Sequence, residues 1–164
     1  MPPASPSPSV LITRAQPADA PRLSALEQAC FRGDRISLRS YRRLLAARSA
    51  QILLALPPPG DAATALWGSA VILYRRRTTV ARIYSIAVAE AARQRGVASA
   101  LLAAAERLAR DRGCDRLGAE IRCDNTASIA TFHKAGFVTC GRCDDYYEDG
   151  MAALRVQKKL GPAA

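Results

Sequence analysis

The chain has 164 residues, 49% hydrophobic and 23% charged, which leaves room for one real core and not for two comfortable ones. The formal net charge is +10 with only 5% aromatic residues. The charge invites an anionic partner, such as nucleic acid, acidic lipid or a phosphate-rich cofactor, while the shortage of aromatics argues against a base-stacking platform.

No apolar run is long enough to cross a bilayer, so no membrane partner is expected. Residues 1–9 are rich in Pro and Ser and lack a basic and an apolar segment. They read as a disordered tail, not a secretory signal, ahead of a single domain over residues 10–164. The five cysteines, Cys30, Cys114, Cys123, Cys140 and Cys143, are odd in number and irregular in spacing, which suits a reducing cytoplasm better than a disulfide framework. Cys140 and Cys143 form a C-x-x-C. With one histidine and no second such pair in the chain, they read as two strand thiols or a redox pair and not as a zinc site. Cys123 and Cys140 are expected to be inert core thiols.

Val10–Ala15 predicts a first strand. Pro17 and Pro21 open a helix whose Leu23, Leu26 and Cys30 fall on one face, and Ser37–Ala47 predicts a second, with Leu38, Tyr41, Leu44 and Leu45 inward and arginines elsewhere. Gln51–Leu56 is a buried strand, ended by Pro57-Pro58-Pro59-Gly60. Ala65–Tyr74 and Thr79–Val88 form a hairpin about Arg75–Arg77. Val97–Arg112 is a strong helix, stopped at Gly113. Leu117–Cys123 is a strand, Asn125–Ala135 a helix, and Phe137–Arg142 and Met151–Lys159 two closing strands. The stretch from Thr79 to Ala135 alternates strand and helix, so an α/β fold is expected: a central mixed β-sheet with one parallel pair, flanked by helices.

The turn from Val88 into the helix at Val97 carries the clearest chemistry. The first turn of a helix presents unpaired N–H groups and the positive end of its dipole. Gly96 and Ala98 keep side chains out of the way, and Arg93 and Arg95 add charge, so the segment suits a pyrophosphate. It is neither a P-loop nor a dinucleotide fingerprint, since Gly-Lys-Ser/Thr and G-x-G-x-x-G are both missing. The bland alternative is a basic turn on a surface helix.

Arg93-Gln-Arg-Gly-Val-Ala98 resembles the R/Q-x-x-G-x-G/A signature of the GNAT-type N-acetyltransferase superfamily. Ile86-Ala87-Val88 resembles the strand that pairs with the pantetheine arm in those enzymes, and Asn125 through Phe137 their N-x-x-[SA]-x-x-x-[YF]-x-x-x-G-F segment. Ala119–Arg122 and the Tyr146-Tyr147 pair are similar to elements of ribosomal-protein-alanine N-acetyltransferases. The likeness runs from about Ala65 to Leu160 and more loosely from Val10.

It implies a GNAT-like acyl-CoA N-acyltransferase fold, acetyl-CoA as co-substrate, and an amine-bearing protein, peptide or small molecule as acceptor. Nucleic acid is not the partner it points to, and a homodimer is compatible with it. The implied cofactor contacts are Ile86, Ala87, Val88, Arg93, Gln94, Arg95, Gly96, Val97, Ala98, Ser99 and Asn125. Glu120 is the implied general base. The ribosomal group has a tyrosine proton donor where this chain has Phe132, so that role does not carry over.

Each of these readings has a counterpart. Glu120 sits on a strand among apolar residues, where a carboxylate needs work or a partner; the alternative to a base is a carboxylate paired with Arg122 or Lys134. A bulge at Ile86–Val88 would splay the strands and expose a Val88 N–H as an oxyanion donor, whereas an unbroken core strand would not. Asn125 fits both a cofactor contact and a helix cap. Tyr147, or Tyr146, is the candidate donor to the leaving thiolate in place of Phe132, against plain packing. His133 reads as a surface residue or a proton shuttle. The arginines of Arg32–Arg48 either dock an acidic acceptor or form a solvated face. Two functions compete with an N-terminal amine acetyltransferase: transfer to a small amine or amino acid, and a non-catalytic acyl-CoA-binding module.

Overall fold

A computed structural model describes residues 10–60 and 65–162; the tail expected over residues 1–9 lies outside them. β1 is Leu11–Arg14. A 3₁₀ turn over Pro17–Asp19 leads into α1, Ala20–Cys30, and α2 is Leu38–Ala46. The Ser37 hydroxyl caps α2 by accepting from the Ser40 N–H at 3.1 Å. β2 is Ala50–Leu56, β3 Gly68–Tyr74 and β4 Val80–Val88. α3 is Val97–Asp111, β5 Arg116–Arg122, α4 Thr126–Lys134, β6 Val138–Cys143 and β7 Ala153–Lys159. β3 starts at Gly68 and not at Ala65, and β7 starts two residues later than the apolar pattern suggests.

The strands form one seven-stranded sheet in the order β1-β2-β3-β4-β5-β7-β6. All neighbours are antiparallel except β4 and β5. The α3 crossover makes that pair parallel, as the strand–helix–strand pattern requires. The sheet is covered on both faces. α3, with Phe132 and Phe137 in edge-to-face contact, packs on the face that carries Leu53, Ile72, Ile83, Leu117 and Ala119. α1 and α2 pack on the other, over Ile52, Leu54, Val71 and Ala87.

The α1–α2 connection is fixed by a residue that apolar periodicity does not flag. Glu27 is only 2% exposed, and its two oxygens accept from the Ile36 N–H at 3.1 Å and the Tyr41 hydroxyl at 2.9 Å. These bonds fold residues 31–36 back over the sheet. Burial pushes the Glu27 carboxyl above its ordinary value, against the lowering effect of those two donors and of Arg35. The contribution of Glu27 to stability is therefore fully present below the ordinary glutamate pKa, near 4.5, and is lost as pH rises through the raised native value. The melting temperature of Glu27→Gln minus that of the wild type should accordingly grow as pH is raised from 4.5 to 8. A flat difference across thermal melts would contradict this.

Candidate active site

A local break in the sheet makes the site. Along β3–β4 the register passes from Val71↔Ser85 to Ile72↔Ile83, so Tyr84 is the extra residue of a β-bulge. The parallel β4–β5 ladder covers only Val80–Ile83 against Arg116–Ala119. Beyond it β5 stays paired to β7 as far as Arg122↔Ala153, while β4 runs on to Val88 against β3 alone. The bulge lies at Tyr84, two residues before the Ile86–Val88 segment where the sequence pointed.

The Ala89 N–H donates to the Trp67 carbonyl at 2.8 Å. By antiparallel alternation Ala87 then turns its polar groups toward Ser69 on β3, and Ile86 and Val88 turn theirs into the gap. The Val88 carbonyl accepts a weak bond from the Cys30 thiol at 3.4 Å. The gap opens into a cleft of about 770 Å³, walled by Tyr84–Ile86, Ala119–Arg122, the α1–α2 connection, Phe132 and Tyr146–Asp149.

The turn before α3 follows a 3₁₀ turn over Glu90–Ala92. Gln94 (φ 62°) and Gly96 (φ 76°) are left-handed, and Gly96 is the N-cap of α3 without a side-chain cap bond. A Cβ on Gly96 would meet no atom within 4 Å, so the glycine is needed for its backbone angle and keeps the space above the turn clear. The first intrahelical bond is Ala100 N–H to the Gly96 carbonyl at 3.0 Å, which leaves the N–H groups of Val97, Ala98 and Ser99 facing out at the positive helix end. Val97 is buried and pins the turn, Ser99, Arg93 and Gln94 are exposed, and Arg95 lies over the Trp67 ring at 5.2 Å.

Gly68 seats this turn against the strands. A Cβ there would stand 2.7 Å from the Ala87 carbonyl oxygen, 3.0 Å from Val97 and 3.2 Å from Leu101. Neither Gly68 nor Trp67 stands out in the sequence; only their contacts reveal them.

Glu120 lies on the cleft wall with its side chain 15% exposed. It is paired, but not with Arg122 or Lys134: Arg82 Nε is 2.7 Å from Oε2 and Arg155 Nε 3.7 Å from Oε1. Arg122 is engaged by Asp124 and Asp149 and lies 4.8 Å over the Tyr147 ring. Tyr147 lines the same cleft. Burial, then the neighbouring Tyr146, push its hydroxyl up to about 12, so it is protonated at neutral pH.

A hydroxyl held that high donates a hydrogen bond more readily than it gives up its proton. Phe132 is buried and has no proton to give. Asn125 caps α4 by accepting from the Ser128 N–H at 3.1 Å and also lines the cleft. His133 is exposed and meets the Thr139 hydroxyl at 3.1 Å. Cys123 is half-buried, and Cys140 is exposed on β6 instead of lying in the core.

A profile of the Acetyltransferase (GNAT) family matches residues 22–137. The chain belongs to that family. It is 30% identical over 82 residues to "N-alpha-acetyltransferase MAK3" of Arabidopsis thaliana, a match that spans 50% of this chain and 43% of that protein. The structure is similar to a ribosomal-protein-alanine N-acetyltransferase of Brucella melitensis, at 27% identity and TM-score 0.76 over 92% of this chain and 99% of that one. It is also similar to Ard1 of Thermoplasma volcanium, at 25% identity and TM-score 0.81 over 93% and 98%. The seven-stranded mixed sheet with four flanking helices is the acyltransferase fold of this family, and the chain spans less than half the length of the curated relative it matches.

Gly68→Ala should destabilise the protein by about 1–3 kcal/mol, the usual cost of forcing extra volume into a packed contact, read from denaturant unfolding.

Proposed function

We propose that the chain moves the acetyl group of acetyl-CoA to the α-amine of a protein or peptide N-terminus in the cytoplasm, with Glu120 as general base. The observation that carries this reading is the juxtaposition of Glu120 with the unpaired inner edge of β4 across one open cleft. The amine class is favoured by the relatives, among them one named for N-α-acetylation and one for ribosomal-protein alanine.

Acetyl-CoA supplies the thioester, and this chain's groups do the rest. The N–H groups of residues 97–99, with Arg93, Gln94 and Arg95 around them, hold the pyrophosphate at the mouth of α3. Ile86 and Val88 bind the pantetheine amides as an added strand would, and Asn125 borders the arm. Glu120 takes a proton from the attacking amine, directly or through one water, as the N–C bond forms. An α-amine has a pKa near 8, so about a tenth of it is already neutral at pH 7 and the base has a modest task. The Val88 N–H donates to the thioester oxygen as negative charge develops there. The C–S bond then breaks, and Tyr147 hydrogen-bonds the departing sulfur, which takes its proton from the solvent.

Two observations favour a second reading, a non-catalytic acyl-CoA-binding module: Phe132 is without a hydroxyl, and Glu120 is held by two arginines.

Calorimetry with acetyl-CoA should give binding that Gly96→Glu abolishes, because a carboxylate there fills the phosphate site. In a thiol-release assay on peptides with free N-termini, Glu120→Gln should lower kcat/KM about 10²- to 10⁴-fold with acetyl-CoA affinity unchanged. Tyr147→Phe should lower kcat by about tenfold, consistent with a hydrogen bond and not a full acid. Tight acetyl-CoA binding without turnover of any peptide or small amine would favour the second reading.

A further inference from the structure

Two arginines bracket the Glu120 carboxylate. Arg155 is its direct partner on β7, with a side chain 52% exposed. Arg82 comes from β4. Its register partner is Gly118, two residues before Glu120 on the same face of β5. The resulting 2.7 Å contact is close but misaligned: among the described residues neither Arg82 Nε nor Glu120 Oε2, both shut off from solvent, completes a hydrogen bond. The guanidinium has other footing. One terminal nitrogen donates to the Tyr146 hydroxyl at 2.7 Å, and its centre lies 5.5 Å from the Tyr84 ring.

One carboxylate between two guanidiniums leaves a net positive charge at the base. An acceptor amine reaches it mostly as an ammonium at neutral pH, so it meets like charge, and Oε2 is already taken. An ammonium carries three donors on a freely turning tip, whereas the Arg82 Nε–H is fixed in the plane of its guanidinium. The newcomer can therefore align with Oε2 where Arg82 does not.

We propose that Arg82 is a specificity-determining residue that fills the acceptor's own subsite: the substrate ammonium displaces the guanidinium from Glu120 Oε2, and Arg82 keeps its hold on Tyr146 and Tyr84. This rests on the reading of Glu120 as the base. The exchange selects acceptors that present a primary ammonium. An N-blocked peptide brings no charge and cannot make it.

The test uses Arg82→Gln and Arg82→Lys, with the free-amine peptide or alkylamine that turns over best. Arg82→Gln should lower the acceptor KM about tenfold, the scale of one removed ionic competitor, with kcat changed less than twofold. Arg82→Lys puts a freely turning ammonium of its own beside Oε2 and should leave the acceptor KM no lower than the wild type's. If Arg82 merely holds Glu120 in place, kcat falls and KM stays or rises, and the proposal is overturned.

A second measurement does not need turnover: calorimetry of an alanine-tripeptide amide and its N-acetylated form on coenzyme A-loaded protein. Arg82→Gln should tighten the free-amine peptide and leave the blocked one unchanged; an equal effect on both, or none on the free amine, overturns the exchange. Tightening in a protein that turns over no acceptor would sustain the exchange and sink Glu120 as a base.

Discussion

The ladder between β4 and β5 stops at Ile83 and Ala119, and the rest of the site is arranged around that stop. Tyr84 bulges on the β3 side, β4 leans toward β3, and β5 is kept by β7. Strand edges elsewhere in the sheet are paired or lie at its margins. Here two adjacent strands part inside the molecule, and backbone groups turned into such a gap cost free energy unless a side chain, water or a ligand meets them. Gly68 lets α3 and β4 close up at one end of the gap, and the Glu27–Tyr41–Ile36 contacts draw the α1–α2 connection over it at the other.

Much of this architecture was legible in the sequence because it rests on local signals. The helix over Val97–Asp111 and the parallel pair around it follow from periodicity and the order of elements. What escaped depends on contacts between residues far apart in the chain. The bulge at Tyr84 is a register event, and the alternation of Val80–Val88 runs through it without a mark. Glu27 looks like any helical glutamate until Tyr41, fourteen residues on, is seen to donate to it. Sequence proximity offers Glu120 the partners Arg122 and Lys134, whereas strand order brings Arg82 and Arg155 to it. Cys140 reads from the sequence as a core thiol; β6 is an edge strand, and most of its residues, Cys140 among them, are exposed.

Charge shows the same division between total and place. The chain carries +10 overall, yet the cleft mouth also holds Asp34, Glu148 and Asp149. Arg48, Arg75, Arg76 and Arg112 gather instead around a smaller hollow at the hairpin end of the sheet, with Arg112 stacked 4.2 Å over Tyr74. Net charge therefore says little about what the cleft accepts, because Asp34, Glu148 and Asp149 line it beside Arg32, Arg82 and Arg122.

The gap between β4 and β5 has a bearing on the lifetime of the protein as well as on its chemistry. A sheet with an open internal position is finished by whatever fills it, and a ligand present at a hundred times its dissociation constant adds about 2.7 kcal/mol to the folded state. Such an increment is a large share of the stability of a domain this size. If the pantetheine arm is what completes the sheet, free coenzyme A completes it as its acetyl ester does, and the folded fraction that resists proteolysis rises and falls with the total pool of both.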